Sequence, residues 1–212
     1  SSPQAVARTL EKMVEREADP QLAQYLALAQ SIKYGRKVDA TRLILEQYPG
    51  KFLIFTDYLP TLHALQAALE EAGHEVLLFH GGMPVHERVE AVRAFRRSAR
   101  IMISTQSGGE GHNLQFCHQM INYDLPWNPM RIEQRIGRLQ RLGQKHEVAI
   151  FNLSATNTIE AYVLDLLARI EQERGIVSTY FILLHNNFYN PLSPLGRRAV
   201  RDLADLGHEI GL

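Results

Sequence analysis

A single cysteine, Cys117, stands in the whole sequence. No disulfide can form within the chain, so a packed core must hold it, and a reducing, cytoplasmic setting is the natural expectation. Neither charge is in excess: 23 lysines and arginines meet 23 aspartates and glutamates. Global charge therefore gives no hint of a nucleic-acid partner, and any such hint must be local. No apolar run approaches the roughly 20 residues that span a bilayer. The opening "SSPQAVARTLEK" lacks the apolar stretch of a signal peptide. It also lacks an initiator methionine, which leads to the expectation of a piece of a longer polypeptide. Internal repeats and low-complexity tracts are missing too. What is present is 45% hydrophobic and 22% charged over 212 residues, as in an ordinary globular protein, and the length suits one large domain or one domain with appendages.

Residues 3–30 read as helical, broken at "ADPQ", where Asp19 and Pro20 end one helix and start the next. "GRKVDATRLILEQYPG" resumes a helix anchored by Val38, Leu43 and Leu45. Beyond it, short apolar runs alternate with amphipathic segments. The runs at 51–56, 76–80, 100–105, 119–124 and 147–154 predict five strands. The segments between the first three and after the fourth predict helices, with Gly73 ending the first. Another helix is expected in "TIEAYVLDLLARIEQE". The fold class is therefore α/β: a parallel sheet with helices on both faces, plus helical appendages at the two ends. Such sheets bind ligands in the loops after the carboxyl ends of their strands. Those loops are "TDY", "HGG", "TQSGGEGHN" and "DLPWNP". The tail from Gly175 mixes a short apolar run with an asparagine- and proline-rich loop, and its role stays open between a packing appendage and a partner surface.

"RIEQRIGRLQRLGQ", residues 131–144, concentrates Arg131, Arg135, Arg138 and Arg141. With Gln134 at zero on a helical wheel, Arg138 falls near about +40° and Arg141 near about −20°, while Ile132, Ile136 and Leu139 lie opposite. Gln134, Arg138 and Arg141 thus form one stripe. Truncating either arginine is expected to empty no core, and Arg135, about 100° away from Gln134, is expected to matter less. The stripe alone fits a solvated basic face as well as a bidentate grip on phosphate. Gly108, Gly109 and Gly111 follow a predicted strand at the same sheet edge. Such a loop can offer backbone N–H groups to an anion.

In order, "KFLIFTDY", "FHGGM", "ISTQSGGEGHNLQ", "INYDLPWNP" and "QRIGRLQRLGQ" resemble motifs IV to VI in the second RecA-like domain of superfamily 2 helicases. More narrowly, the pattern is similar to the Swi/Snf-type ATPases and covers residues 33–170. The resemblance implies that ATP and Mg2+ lie between two RecA-like domains and are held mainly by the first. The second supplies arginines to the γ-phosphate, which map to Arg138 and Arg141, with Gln134 beside them. Gly111 and Asn113 would lie near the nucleotide. Thr56, Asp57, His80, Gly81, Ser104 and Thr105 would touch a nucleic-acid backbone, positioning a strand without reading its sequence. Arg96, Arg97 and Arg100 form either a further basic patch or a solvated helix end. His112, Cys117 and His118 match no usual zinc spacing, so no metal ligand is assigned. Trp127 fits a turn anchor better than a base-stacking group.

A GxxxxGK[ST] phosphate loop and an Asp-Glu-x-His box are both missing from the sequence. The resemblance then implies the second half of a motor, divided as a helical linker over 1–32, a RecA-like domain over 33–174 and an appendage over 175–212. Its implied partners are double-stranded DNA and the N-terminal RecA-like domain of the same polypeptide. The alternatives are the corresponding half of an RNA helicase and a non-catalytic nucleic-acid-binding domain. The RNA branch usually has a histidine where Gln134 stands.

Overall fold

The computed structural model describes residues 2–17, 19–106, 114–126, 128–139, 148–155 and 179–184. The glycine-rich loop at 107–113, Trp127, residues 140–147, the helix expected within 156–178 and residues 185–212 lie outside them.

The chain begins with two helices, α1 (Pro3–Val14) and α2 (Pro20–Ser31). Each starts at a side-chain cap followed by proline. The Ser2 hydroxyl accepts from the Ala5 N–H, and the Asp19 carboxylate accepts from the Gln21 N–H. Proline fits there because the first N–H groups of a helix have no partner inside it. The Ser2 hydroxyl also bonds the Thr61 hydroxyl at 2.8 Å, tying α1 to the body of the fold.

The body runs α3 (Arg36–Gln47), β1 (Phe52–Phe55), α4 (Leu59–Glu71), β2 (Val76–Phe79), α5 (Val85–Arg97), β3 (Ile101–Ser104), β4 (Gln119–Asn122), α6 (Pro129–Leu139), β5 (Ala149–Ala155) and β6 (Thr179–Leu184). The strands form one sheet in the order β2-β3-β1-β4-β5-β6, with every neighbouring pair parallel. All five expected strands are present and parallel. The sixth comes from the tail whose role the sequence left open.

Side chains alternate across each strand, so the sheet has two buried faces. Phe52, Ile54, Ile101, Ile103 and Phe151 meet α3 and α4 through Leu43, Ile44, Leu62 and Leu65. Leu53, Phe55, Met102, Met120 and Ile150 meet α5 and α6 through Phe95, Ile132, Ile136 and Leu139. Full burial of one such side chain is worth about 1.5–3 kcal/mol, so both helix layers are held firmly. At the end of α4, the Gly73 N–H bonds the Glu70 carbonyl and the His74 N–H bonds the Leu69 carbonyl. With Gly73 at φ 84°, this is a Schellman stop, as the sequence predicts.

The topology also fixes where a site belongs. After β1 the chain builds β2 and β3 to one side, then crosses to build β4, β5 and β6 on the other. The carboxyl ends of β3, β1 and β4 therefore flank a switch point, where the outgoing loops separate and leave a crevice.

Candidate functional site

Each strand at the switch point ends in polar residues. Thr56 and Asp57 follow β1, Thr105 and Gln106 follow β3, and Tyr123 and Asp124 follow β4. Helix α6 starts soon after β4. Asn128, directly before it, accepts from the Met130 N–H at 3.0 Å, a helix start that fits the "PWNP" turn.

The apolar residues Ile132, Ile136 and Leu139 seat α6 on the sheet. Between them lies Arg135, the largest fully buried side chain among the described residues. Its guanidinium donates from Nε to Gln106 Oε1 at 2.9 Å, from Nη1 to Asn122 Oδ1 at 3.0 Å and to the Asp124 carbonyl at 2.9 Å, and from Nη2 to Asp57 Oδ1 at 2.7 Å. Its Cζ lies over the Phe55 ring, 5.0 Å from the centroid. One side chain thus ties the ends of β1, β3 and β4 to α6. Burial pushes the guanidinium pKa down, and the carboxylates of Asp57 and Asp124 oppose that shift. An arginine stays charged under such conditions, so the fold carries a fixed buried cation.

The surrounding polar groups complete a network. Asn122 Nδ2 donates to Asn152 Oδ1 at 2.7 Å, across neighbouring positions of β4 and β5. The Thr56 hydroxyl donates to Asp124 Oδ2 at 2.5 Å. Buried Lys37 of α3 donates to the Tyr123 carbonyl at 2.8 Å. Gln106, Asn122, Asp124 and Asn152 were not singled out from the sequence. The available signal was an asparagine directly after an apolar pair in each run, "MIN" and "IFN", a placement that demands a buried partner.

The expected nucleic-acid contacts divide in two. Thr56 and Ser104 are 0% and 1% exposed, and the Ser104 hydroxyl is spent on the Thr105 carbonyl. Both hydroxyls are thus engaged inside the protein, which leaves backbone groups as the means by which these positions could meet a nucleic-acid strand. Thr105 is buried beside them. Asp57 is partly exposed, with 24% of its side chain accessible, but its carboxylate grips Arg135. His80 and Gly81 follow β2, with His80 half-buried and Gly81 exposed. The imidazoles of His80 and His63 meet edge to face at 6.3 Å. Burial, and then the neighbouring His63, pulls the His80 pKa below its ordinary value.

The arginine stripe is also redrawn. Gln134 and Arg131 are exposed, as a surface stripe requires, but Arg138 is only 7% exposed. The expectation that it lies opposite the buried side of α6 is therefore corrected. Arg135 is the most enclosed described arginine of the helix, which gives it a structural role that the wheel does not assign. Arg141, Gly111, Asn113 and His112 lie outside the described residues. Arg100 belongs to no basic patch: it donates to the carbonyls of Leu45, Tyr48 and Gly50, holding the end of α3 against the start of β1. Cys117 is fully buried, and desolvation pushes its thiol up to about 12. Among the described residues, no group of three or more His, Cys, Asp or Glu converges to hold a metal ion. No helix among them is long and apolar enough to cross a membrane.

Comparison with known proteins fits this geometry. Residues 36–143 match the family described as the helicase conserved C-terminal domain. An uncharacterized ATP-dependent helicase of Bacillus subtilis, YqhH, is 37% identical over 174 residues, which is 79% of this chain and 31% of that protein. The RNA polymerase-associated protein RapA of Vibrio cholerae is 39% identical over 127 residues, 58% of this chain and 13% of that protein. The chain therefore spans about a third or less of the curated relatives it matches. Among solved structures, the C-terminal part of the Fun30 ATPase domain superposes with a TM-score of 0.58 at 28% identity, covering 62% of this chain and 44% of that one. The C-terminal domain of the DEAD-box protein Dbp5 gives 0.56 at 26% identity, covering 69% and 83%.

Proposed function

Since the chain belongs to the helicase conserved C-terminal domain family, as a RecA-like domain of the Swi/Snf type, we propose that it is the second motor half of an ATP-dependent translocase on double-stranded DNA. The observation that carries this reading is the seating of α6 at the switch-point crevice, fixed by Arg135 to three strand ends. A merely solvated basic helix would not bury two of its arginines. An arginine finger needs a rigid mount, because charge stabilisation depends on donors already in place when the phosphoryl group moves.

In this reading, ATP lies between this half and an N-terminal RecA-like domain of the same polypeptide. That first half holds Mg2+ and supplies the phosphate loop. This chain contributes Arg138 and Arg141 to the γ-phosphate, with Gln134 beside them and Gly111 and Asn113 near the nucleotide. The nucleic-acid backbone runs along the loops after β1, β2 and β3, touching the exposed Gly81, His80 and backbone N–H groups near Thr105. Thr56 and Ser104 shape that edge from beneath. The working compartment is the cytoplasm.

Two measurements test this. The 212-residue chain alone hydrolyses no ATP above background, since it offers only half a site. In the full-length protein, Arg141→Ala lowers DNA-stimulated turnover by about 10³ or more, the magnitude of a lost arginine finger, and lysine restores little of it. Turnover by the isolated chain that survives further purification, or an Arg141→Ala protein as active as wild type, refutes the assignment.

A further inference from the structure

Asp57 and Arg135 are far apart in sequence and in exposure. Asp57 ends β1 with its carboxylate partly open to solvent, and Arg135 is fully enclosed in α6. They meet at 2.7 Å. A carboxylate is a poor contact for a phosphate backbone, since like charges repel. It is a good partner for a buried guanidinium. Asp57 is moreover the only side-chain carboxylate hydrogen-bonded to Arg135 among the described residues, the other bonds coming from two amide oxygens and a backbone carbonyl.

From this geometry we infer that Asp57 and Arg135 are positioning residues. The pair couples the loop after β1, which borders the nucleic-acid groove, to the helix that carries Arg138. The inference rests on the motor reading above and deepens it. The ion pair compensates the charge of the guanidinium, and the bonds to Gln106, Asn122 and Asp124 keep the strand ends in register with α6. Neither residue touches nucleotide. The pair sets where the arginines of α6 stand.

The full-length protein supplies the test. ATP turnover is measured against ATP and against duplex DNA for wild type, Asp57→Asn, Gln106→Glu and the double variant, with melting temperatures alongside. Asparagine keeps the shape and one acceptor but removes the charge. The single Asp57→Asn change lowers kcat by tenfold to about a hundredfold, the scale of a misplaced catalytic group. It leaves KM for ATP and the half-saturating DNA concentration near wild type. Gln106→Glu returns a carboxylate to the same guanidinium from the β3 side, so the double variant regains most of the lost kcat. Two results overturn the inference. In one, Asp57→Asn changes the half-saturating DNA concentration and spares kcat, which makes Asp57 a groove residue. In the other, kcat falls and Gln106→Glu does not restore it although the melting temperature is unchanged. A wild-type protein without DNA-stimulated turnover overturns the motor reading and this inference together, a result distinct from either.

Discussion

Replacing Arg135 by alanine in the 212-residue chain tests whether this arginine belongs to the core or to a solvated face. The side chain is fully enclosed and makes four hydrogen bonds through its guanidinium. Alanine leaves Asp57 without its cation and strips donors from Asn122 Oδ1, Gln106 Oε1 and the Asp124 carbonyl. Removing one partner of a buried ion pair costs about 3–5 kcal/mol. Water can reach the partly exposed Asp57 and recover some of this, but Asn122 is wholly buried and its orphaned acceptor adds roughly 1–3 kcal/mol. The expected loss is therefore about 3–5 kcal/mol, a large share of a typical domain stability. Urea unfolding followed by circular dichroism reads it directly: with a slope of about 2–3 kcal/mol/M, the midpoint falls by roughly 1–2.5 M. Arg131 is the internal control, since it lies one turn earlier on the same helix and is exposed. Its alanine variant changes stability by about 0.5 kcal/mol or less. Lysine at 135 returns the charge but not the planar fan of donors, so it recovers only part of the loss. Equal, small effects at 131 and 135 would refute the buried network.

Three further outcomes follow from particular side chains. Cys117, with its thiol raised from 9.0 to about 12, resists Ellman's reagent at pH 8 in the folded chain and reacts after unfolding. Above pH 9 the unfolded thiol loses its proton while the folded one keeps it, so stability falls with pH by up to about 1.4 kcal/mol per unit between the two values, a slope that Cys117→Ser abolishes. His80, depressed below 6.5 by burial and by His63, titrates below that value by NMR, and its contribution to stability fades as pH falls beneath it. Gly50→Ala destabilises more than Gly73→Ala by thermal melting. Both have positive φ, but a Cβ at Gly50 would meet Gln119 Nε2 at 2.9 Å, whereas one at Gly73 meets nothing within 4 Å.

Periodicity carried most of the fold. Continuous apolar runs such as "FLIF" and "IMIS" announce strands covered on both faces. Asp19-Pro20 and Gly73 mark their helix ends through local chemistry that needs no tertiary partner. β6 was harder, because "TYFILL" has the residues of a strand but no flanking pattern to say that it joins β5. Pairing between strands distant in sequence is decided by the sheet edge already built, and the edge is not written in the strand itself.

The site shows where such reading stops. A helical wheel treats arginine as a surface residue and places the core opposite to it, so it gives Arg135 little weight and puts Arg138 on the outer face. The structure buries both, and for Arg135 the crevice supplies the acceptors: Asp57, Gln106, Asn122 and the Asp124 carbonyl make burial of this cation tolerable. Those acceptors lie between 11 and 78 residues away along the chain. No window centred on α6 contains them all. Charge on a helix face is therefore ambiguous until the strand ends facing it are known. The decisive clue is the complementary set: polar residues with no reason to end apolar strands unless a cation awaits them. Asp57, Gln106 and Asn122 form such a set, and their partner is Arg135, which the wheel alone discounts.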